Sequence, residues 1–123
     1  QKVKNVLNDE SKGVYQGKIF VKNIAQKTNA YQLSKALILN DAAEFDAKPE
    51  LEIYADDVKC SHGSTSGSID LNLIHYLKSR GIPEKEAYQM LINGFLSEIL
   101  DKLSNGKLKN FLIEKLEGQI NGH

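Results

Sequence analysis

The chain has 123 residues with 16 basic and 16 acidic side chains, one cysteine and 41% hydrophobic residues. This length predicts one domain or two small units that share a core. The balanced charge lacks the basic excess of nucleic-acid-binding proteins, and no apolar run approaches the roughly 20 residues that span a bilayer. One cysteine excludes an intramolecular disulfide and is typical of a reducing compartment. We therefore expect a cytoplasmic protein that binds neither nucleic acid nor membrane.

The first half of the chain has the pattern of strands. Val14–Val21 alternates and is rich in β-branched and aromatic residues, and Lys35–Leu39 and Leu51–Tyr54 are short apolar runs. The strand centres lie near Phe20, Ile38 and Ile53, so the two intervals between them are similar in length. These gaps contain neither hairpin turns of the Asn-Gly type nor a helical pattern. The spacing favours stacked coils of a β-solenoid, and a short antiparallel sandwich is the alternative.

After residue 68 the apolar period becomes helical. The pattern predicts a first helix over Leu71–Arg80, with Asp70 as its N-cap and Gly81 in the left-handed conformation after it. Pro83 suits the first turn of a second helix, which Asn105–Gly106 ends. A third helix follows.

The second and third helices carry apolar stripes. The predicted stripe of the second helix comprises Ala87, Met90, Leu91, Gly94, Phe95, Ile99 and Leu103. The predicted stripe of the third helix comprises Leu108, Phe111, Leu112, Leu116 and Ile120. The simplest interpretation is helix core. Because Ile92 and Leu96 widen the first of these stripes, a second buried surface, such as a contact with a partner protein, is also indicated.

Cys60 and His62 are the main chemical candidates. They lie two residues apart in an apparent strand over residues 57–63, so their side chains would share one face with Val58. A thiolate and an imidazole can ligate a soft metal or an iron–sulfur cluster. Two ligands do not complete a site, so a partner chain would have to supply the others. The alternative, which the residue types alone favour, is a buried thiol beside a hydrogen-bonded histidine.

Other features of the sequence have simpler interpretations. Gly63–Ser68 superficially resembles a phosphate-binding loop but lacks the Walker A lysine, so we interpret it as a flexible turn between strand and helix. Asp56 and Asp57 could bind a metal or act in acid–base chemistry, although such a pair is more often part of a turn. His75, on the polar side of the first helix, and His123, at the C-terminus, are interpreted as solvated.

The segment AKPELEIYADDVKCSHG at residues 47–63 resembles the signature of the SufB/SufD family, and its KCSHG end points to the SufD branch. The resemblance continues in four further segments: Gly13–Ile19, Ala25–Ala30, Tyr76–Ile82 and Gly94–Phe95. It implies the last coils of a right-handed parallel β-helix over residues 1–67, followed by a C-terminal three-helix domain over residues 68–123. It also implies a C-terminal fragment, whose open core end would favour self-association.

The resemblance further implies a function and its partners. Family members are components of the SUF iron–sulfur cluster assembly machinery. We expect a non-catalytic scaffold that pairs with SufB through the β-helix and docks the SufC ATPase through the C-terminal helices. We expect no permanently bound cofactor, but a transient cluster at the SufB interface. The location would be cytoplasmic, or organellar if a targeting segment was lost.

The resemblance assigns roles to particular residues. It places His62, with Cys60 as a helper, at the site of cluster assembly shared with SufB. The implied SufC contact comprises Ile82, Pro83, Ala87, Leu91, Gly94 and Phe95. The alternative function is a small metal-binding domain or metal-dependent enzyme that uses Cys60, His62, Asp56 and Asp57.

Overall fold

The computed structural model describes residues 1–121, with side chains for residues 1–119. Over this range five strands precede three helices, so the predicted order of strands and then helices is confirmed. The elements are β1 (Lys2–Leu7), β2 (Lys12–Val21), β3 (Asn29–Ile38), β4 (Glu44–Ile53), β5 (Lys59–Ser68), α1 (Leu71–Ser79), α2 (Glu84–Leu100) and α3 (Gly106–Asn121). The chain divides into two compact units, a strand unit (Gln1–Ile69) and a helical unit (Asp70–His123). The expected boundary between residues 67 and 68 falls within the end of β5.

Alternate strands pair in two parallel sheets. β1, β3 and β5 form one sheet in the order β1-β3-β5, and β2 pairs with β4 in the other. Lys2 lies opposite Leu33, Lys12 opposite Glu44 and Asn29 opposite Lys59, so nearly the same length of chain separates the partners in every pair of strands. The antiparallel sandwich is therefore wrong. The predicted intervals between strand centres separate strands of different sheets, and two successive intervals make one stacking period.

The outer face of β2 and β4 is charged, and the charges match the register. The ammonium of Lys12 lies 3.5 Å from the Glu44 carboxylate, and that of Lys18 lies 3.6 Å from Glu50 and 2.9 Å from Glu52. These pairs are exposed, so each adds little to stability. The register places Lys12 directly opposite Glu44 and Lys18 directly opposite Glu50, so no like charges face each other on this surface.

The interior of the strand unit contains polar as well as small apolar side chains. Val21 and Ala36 are buried, and so are Gln32 and Ser34, whose exposed fractions are 1% and 2%. Gly17 makes room for this arrangement, because a methyl group at that position would overlap with Nε2 of Gln32 and the hydroxyl of Tyr15. The two sheets thus face each other across Gly17 and Gln32.

Two parts of the strand unit differ from the sequence prediction. Gly63–Ser68 is not a flexible turn: it forms the second half of β5 and pairs with β3. Its serines and glycines have low strand propensity, but the ladder to β3 supplies the backbone hydrogen bonds that hold it extended. β1 is not predicted at all, since its sequence, KVKNVL, has only three apolar residues.

The first helix has the predicted ends. The Asp70 carboxylate accepts hydrogen bonds from the N–H groups two and three residues ahead, at 2.9 and 3.2 Å, as an N-cap does. Gly81 has a φ of +88°, and the N–H of Ile82 donates to the carbonyl of Leu77 at 3.2 Å. Together these form a Schellman C-terminus.

The second helix is shorter than predicted at both ends. Pro83 is its N-cap rather than part of its first turn, and α2 ends at Leu100, so Leu103 lies outside it. Asn105 instead caps α3, where its side-chain oxygen accepts from two backbone N–H groups at 3.1 and 3.2 Å. Among the described helices none is long and apolar enough to cross a membrane. The predicted positions of the Ile120 side chain and of His123 lie outside the described residues.

Candidate functional site

Cys60 and His62 both lie in β5, opposite Ala30 and Gln32 of β3. Positions two apart in a strand share a face. The Cys60 thiol is free and half-buried, and His62 is exposed. His62 is therefore not buried, and its ring is accessible. An accessible imidazole beside an unpaired thiol is a donor set that can approach a metal ion from outside.

The face that carries these two side chains is the inner face of the sheet. Paired positions of a parallel sheet project to the same side, and Gln32, opposite His62, reaches across to Gly17 of the other sheet. Along residues 1–121, β5 is also an end strand, because the sheet order is β1-β3-β5. An end strand has one row of backbone N–H and C=O groups without a strand neighbour. The pair therefore lies at the last layer of the stack.

Asp56 and Asp57 lie in the bend between β4 and β5, and both residues are exposed. The Asp57 backbone connects two bends: its N–H donates to the side chain of Gln26 at 2.9 Å, and its carbonyl accepts from the N–H of Lys27 at 2.5 Å. In the described part of the chain, no three His, Cys, Asp or Glu side chains are grouped as metal ligands would be. The structure thus does not bring these carboxylates together with Cys60 and His62. The exposed His75 lies in α1, in the other unit.

The six residues of the expected SufC contact differ in exposure. Ala87 is completely buried, so its side chain is not available to a partner. The other five are half-buried or exposed: Ile82, Pro83, Leu91, Gly94 and Phe95. A mostly apolar cavity of about 210 Å³ lies between α2 and α3, on residues that the sequence prediction of the contact does not include. It is lined by Asn93, Leu96, Ser97, Leu100, Asp101, Lys109, Ile113 and Leu116.

Another polar cluster, on the outer face of the strand unit, is not predicted from the sequence. The Tyr54 hydroxyl donates to Glu52 at 2.7 Å, and the Lys18 ammonium donates to the same carboxylate at 2.9 Å. These two hydrogen bonds lower the pKa of Glu52. The same carboxylate raises the pKa of Tyr54 and of Lys18. Phe20 packs edge-on against Tyr54, with 5.8 Å between the ring centroids. The cluster thus connects side chains of β2 with those at the end of β4 on the outer face.

The strand unit, α1 and most of α2 match a known family. A model of the SufBD core domain, described as SUF system FeS cluster assembly, matches residues 1–95. The chain belongs to this family. The resemblance to the SufB/SufD family expected from the sequence is thereby confirmed.

Three relatives show how much of a family member the chain represents. The iron–sulfur cluster assembly protein SufD of Escherichia coli is 41% identical over 119 residues, which are 97% of this chain and 28% of that protein. SufD of Bacillus subtilis is 35% identical over 94% of this chain and 26% of its own length. A chloroplastic protein of Arabidopsis thaliana, ABCI7, is 37% identical over 94% of this chain and 24% of its own length. The chain thus spans about a quarter of these relatives.

Proposed function

We propose that this chain is part of a non-catalytic scaffold subunit of SUF iron–sulfur cluster assembly. The observation that carries the proposal is the pair Cys60 and His62, accessible at the last layer of a parallel stack in a chain of the SufBD family. A thiolate and a neutral imidazole can each donate an electron pair to iron. The cluster is the cargo that the subunit helps to build and passes on, not a resident cofactor.

The proposal includes a right-handed parallel β-helix in the strand unit. Two features support it: alternate strands enter alternate sheets, and the spacing between paired positions is nearly constant from one pair of strands to the next. Each stacking period is then one coil with two strands. The handedness follows from a general preference, since connections between parallel strands of one sheet are right-handed in nearly all proteins.

SufB is the proposed partner of the strand unit. Cys60 and His62 supply two donors, whereas iron–sulfur clusters are held by about four protein ligands. We propose that SufB contributes the remaining donors. β5 offers a place for it, because this ten-residue end strand has no strand on its far side within the described residues.

SufC is the proposed partner of the helical unit. The accessible part of the expected contact runs from the turn before α2 to the middle of that helix and includes the half-buried Leu91 and Phe95. Partly exposed apolar side chains at helical spacing form the kind of surface that another protein covers.

The assembly role is tested by reconstitution with iron and sulfide in the presence of SufB. In the longer protein, we expect His62→Ala to fold normally and bind SufC but to form less cluster. Cys60→Ala should have a smaller effect, because SufB can supply thiolates. The matched control is His75→Ala, which removes an exposed imidazole from the other unit. A wild-type cluster yield with folded His62→Ala would contradict the assigned role.

The SufC contact is tested by charge insertion. We expect Leu91→Asp and Phe95→Asp to weaken SufC binding in pull-down and calorimetric assays, since each places a charge in an apolar contact. Leu108→Asp is the control, because Leu108 is an exposed leucine of α3 outside the proposed contact. Circular dichroism separates loss of binding from loss of folding. If either contact variant is folded and binds SufC like the wild type, that residue is not part of the contact.

A further inference from the structure

Three side chains at matching positions of successive layers form a polar row inside the strand unit. Gln1 lies opposite Gln32, since the next residues, Lys2 and Leu33, are paired and the N–H of Leu33 donates to the Gln1 carbonyl at 2.8 Å. Gln32 lies opposite His62 in the following layer. The row therefore runs from Gln1 through Gln32 to His62, with adjacent strands about 4.8 Å apart.

The first link of this row is a hydrogen bond between side chains. Nε2 of Gln32 donates to Oε1 of Gln1 at 3.2 Å. Each layer of such a row can donate to the layer before it and accept from the layer after it, because an amide has both a donor and an acceptor. The layer after Gln32 is that of His62.

The second link of the row, between Gln32 and His62, has an acceptor without a donor. Oε1 of Gln32 is buried and has no hydrogen-bond partner in the described residues, and the side chain is only 1% exposed. A buried amide oxygen without a partner is unfavourable, so a donor is required. Two residues placed around Gln32 carry donors: His62, which is paired with it on the next strand, and Tyr15, whose hydroxyl approaches the same space above Gly17 as Nε2 of Gln32.

We propose that Gln32 is a positioning residue for His62, its Oε1 accepting a hydrogen bond from one ring N–H of the imidazole. His62 is favoured over Tyr15, because each layer would then donate to the layer before it: His62 to Gln32, as Gln32 donates to Gln1. A neutral imidazole has one N–H and one nitrogen with a free electron pair. Donation to Gln32 fixes the tautomer and orients the second nitrogen for iron, as carbonyl partners do for ligating histidines. That consequence rests on the proposed function, whereas the hydrogen bond does not.

The test is the tautomer of His62, measured without iron. In the 123-residue chain labelled with ¹⁵N, long-range ¹H–¹⁵N correlation spectra give the two ring nitrogen shifts at a pH where histidine is neutral. His62→Ala assigns the signals. We expect one dominant tautomer in the wild type. In Gln32→Met the ratio of the two tautomers should change about fivefold, because the net free energy of a typical hydrogen bond corresponds to a ratio of about that size. The ring of His75, in the other unit, should keep its ratio.

Tyr15→Phe removes the competing hydroxyl and should leave the His62 ratio unchanged. An unchanged ratio in Gln32→Met, or an equal change in Tyr15→Phe, would overturn the proposal. If Gln32→Met does not fold, the wild type decides: contacts in nuclear Overhauser spectra between the Gln32 side-chain amide and the His62 ring are expected, and their absence overturns it. Because no iron is present, a failure of cluster assembly leaves this result unaffected.

Discussion

The strand unit and the helical unit bury different kinds of side chain. In the strand unit, Gln32 and Ser34 are as inaccessible as the apolar Ala36. In the helical unit, the buried residues of the described range are apolar: Ile74, Ala87 and Ile92. A strand in a stack has a neighbour at the same position of the next layer, so a polar side chain can have a partner along the stack, as Nε2 of Gln32 has in Gln1. Helix faces that pack on each other offer mainly apolar contacts.

This difference determines where chemistry can be built. His62 lies opposite Gln32 of the preceding layer, one full stacking period earlier in the chain. Each end of α1 depends on a residue that acts on neighbours within a few positions of itself, Asp70 at the start and Gly81 at the end. The strand unit is thus organised by distant pairing and the helical unit by local signals. Substitutions that disturb one kind of order should leave the other unaffected.

The largest effect is expected for Gly17→Val. Strand propensity alone predicts stabilisation, because valine favours strands and glycine does not. The structure predicts the opposite, since the new side chain would overlap with the ends of the Tyr15 and Gln32 side chains, and Gln32 is only 1% exposed and has little room to move. Overpacking of this kind costs about 1–3 kcal/mol of unfolding free energy. Urea denaturation followed by circular dichroism measures it.

The matched control is Gly94→Ala in α2. No heavy atom lies within 4 Å of a methyl group placed at Gly94, so only helix propensity changes and stability should rise by about 1 kcal/mol. Opposite signs for the two glycines would confirm that packing controls one unit and local propensity the other. Stabilisation by Gly17→Val would show that the interior near Gln32 has room for a larger side chain.

A smaller loss is expected for Asp70→Ala. It removes the carboxylate that accepts two backbone N–H groups at the start of α1, and loss of an N-cap costs about 1 kcal/mol. Asn105→Ala should cost a similar amount at α3, where the amide oxygen does the same. Asp41→Ala is the charge-matched control in an exposed loop. Equal changes in melting temperature for Asp70→Ala and Asp41→Ala would mean that the Asp70 cap contributes nothing to stability.

The same contrast explains how much could be predicted from the sequence. The start of α1 and its glycine end are predicted correctly, because Asp70 and Gly81 act on their immediate neighbours. The strand at Gly63–Ser68 is missed, since its extended form depends on pairing with β3 rather than on its own composition. Cys60 and His62 can be placed on one face from spacing alone. The role of Gln32 cannot, because only the register between β3 and β5 brings it opposite His62.

The smallest expected effect concerns Glu52, on the outer face of the strand unit. Hydrogen bonds from Tyr54 and Lys18 lower the pKa of this carboxyl in the folded chain below its ordinary value of 4.5. The folded state therefore holds the Glu52 proton less tightly than the unfolded state. The resulting stabilisation is present above the ordinary pKa and is lost as the pH falls through the lower, folded value. Because the charged groups lie at the surface, solvent screens the interaction and the effect is small.

Glu52→Gln should accordingly flatten the acid limb of the stability curve, measured as unfolding free energy in urea at a series of pH values below neutral. Tyr54→Phe removes the hydrogen bond that lowers the Glu52 pKa most, so the same carboxyl should then titrate at a higher pH in carbon-detected NMR spectra. Glu50→Gln is the control, because it removes an equal charge 3.6 Å from the same Lys18, and it should flatten the curve less. Equal flattening by both variants would mean that net charge on this face, rather than the bond from Tyr54, sets the acid dependence.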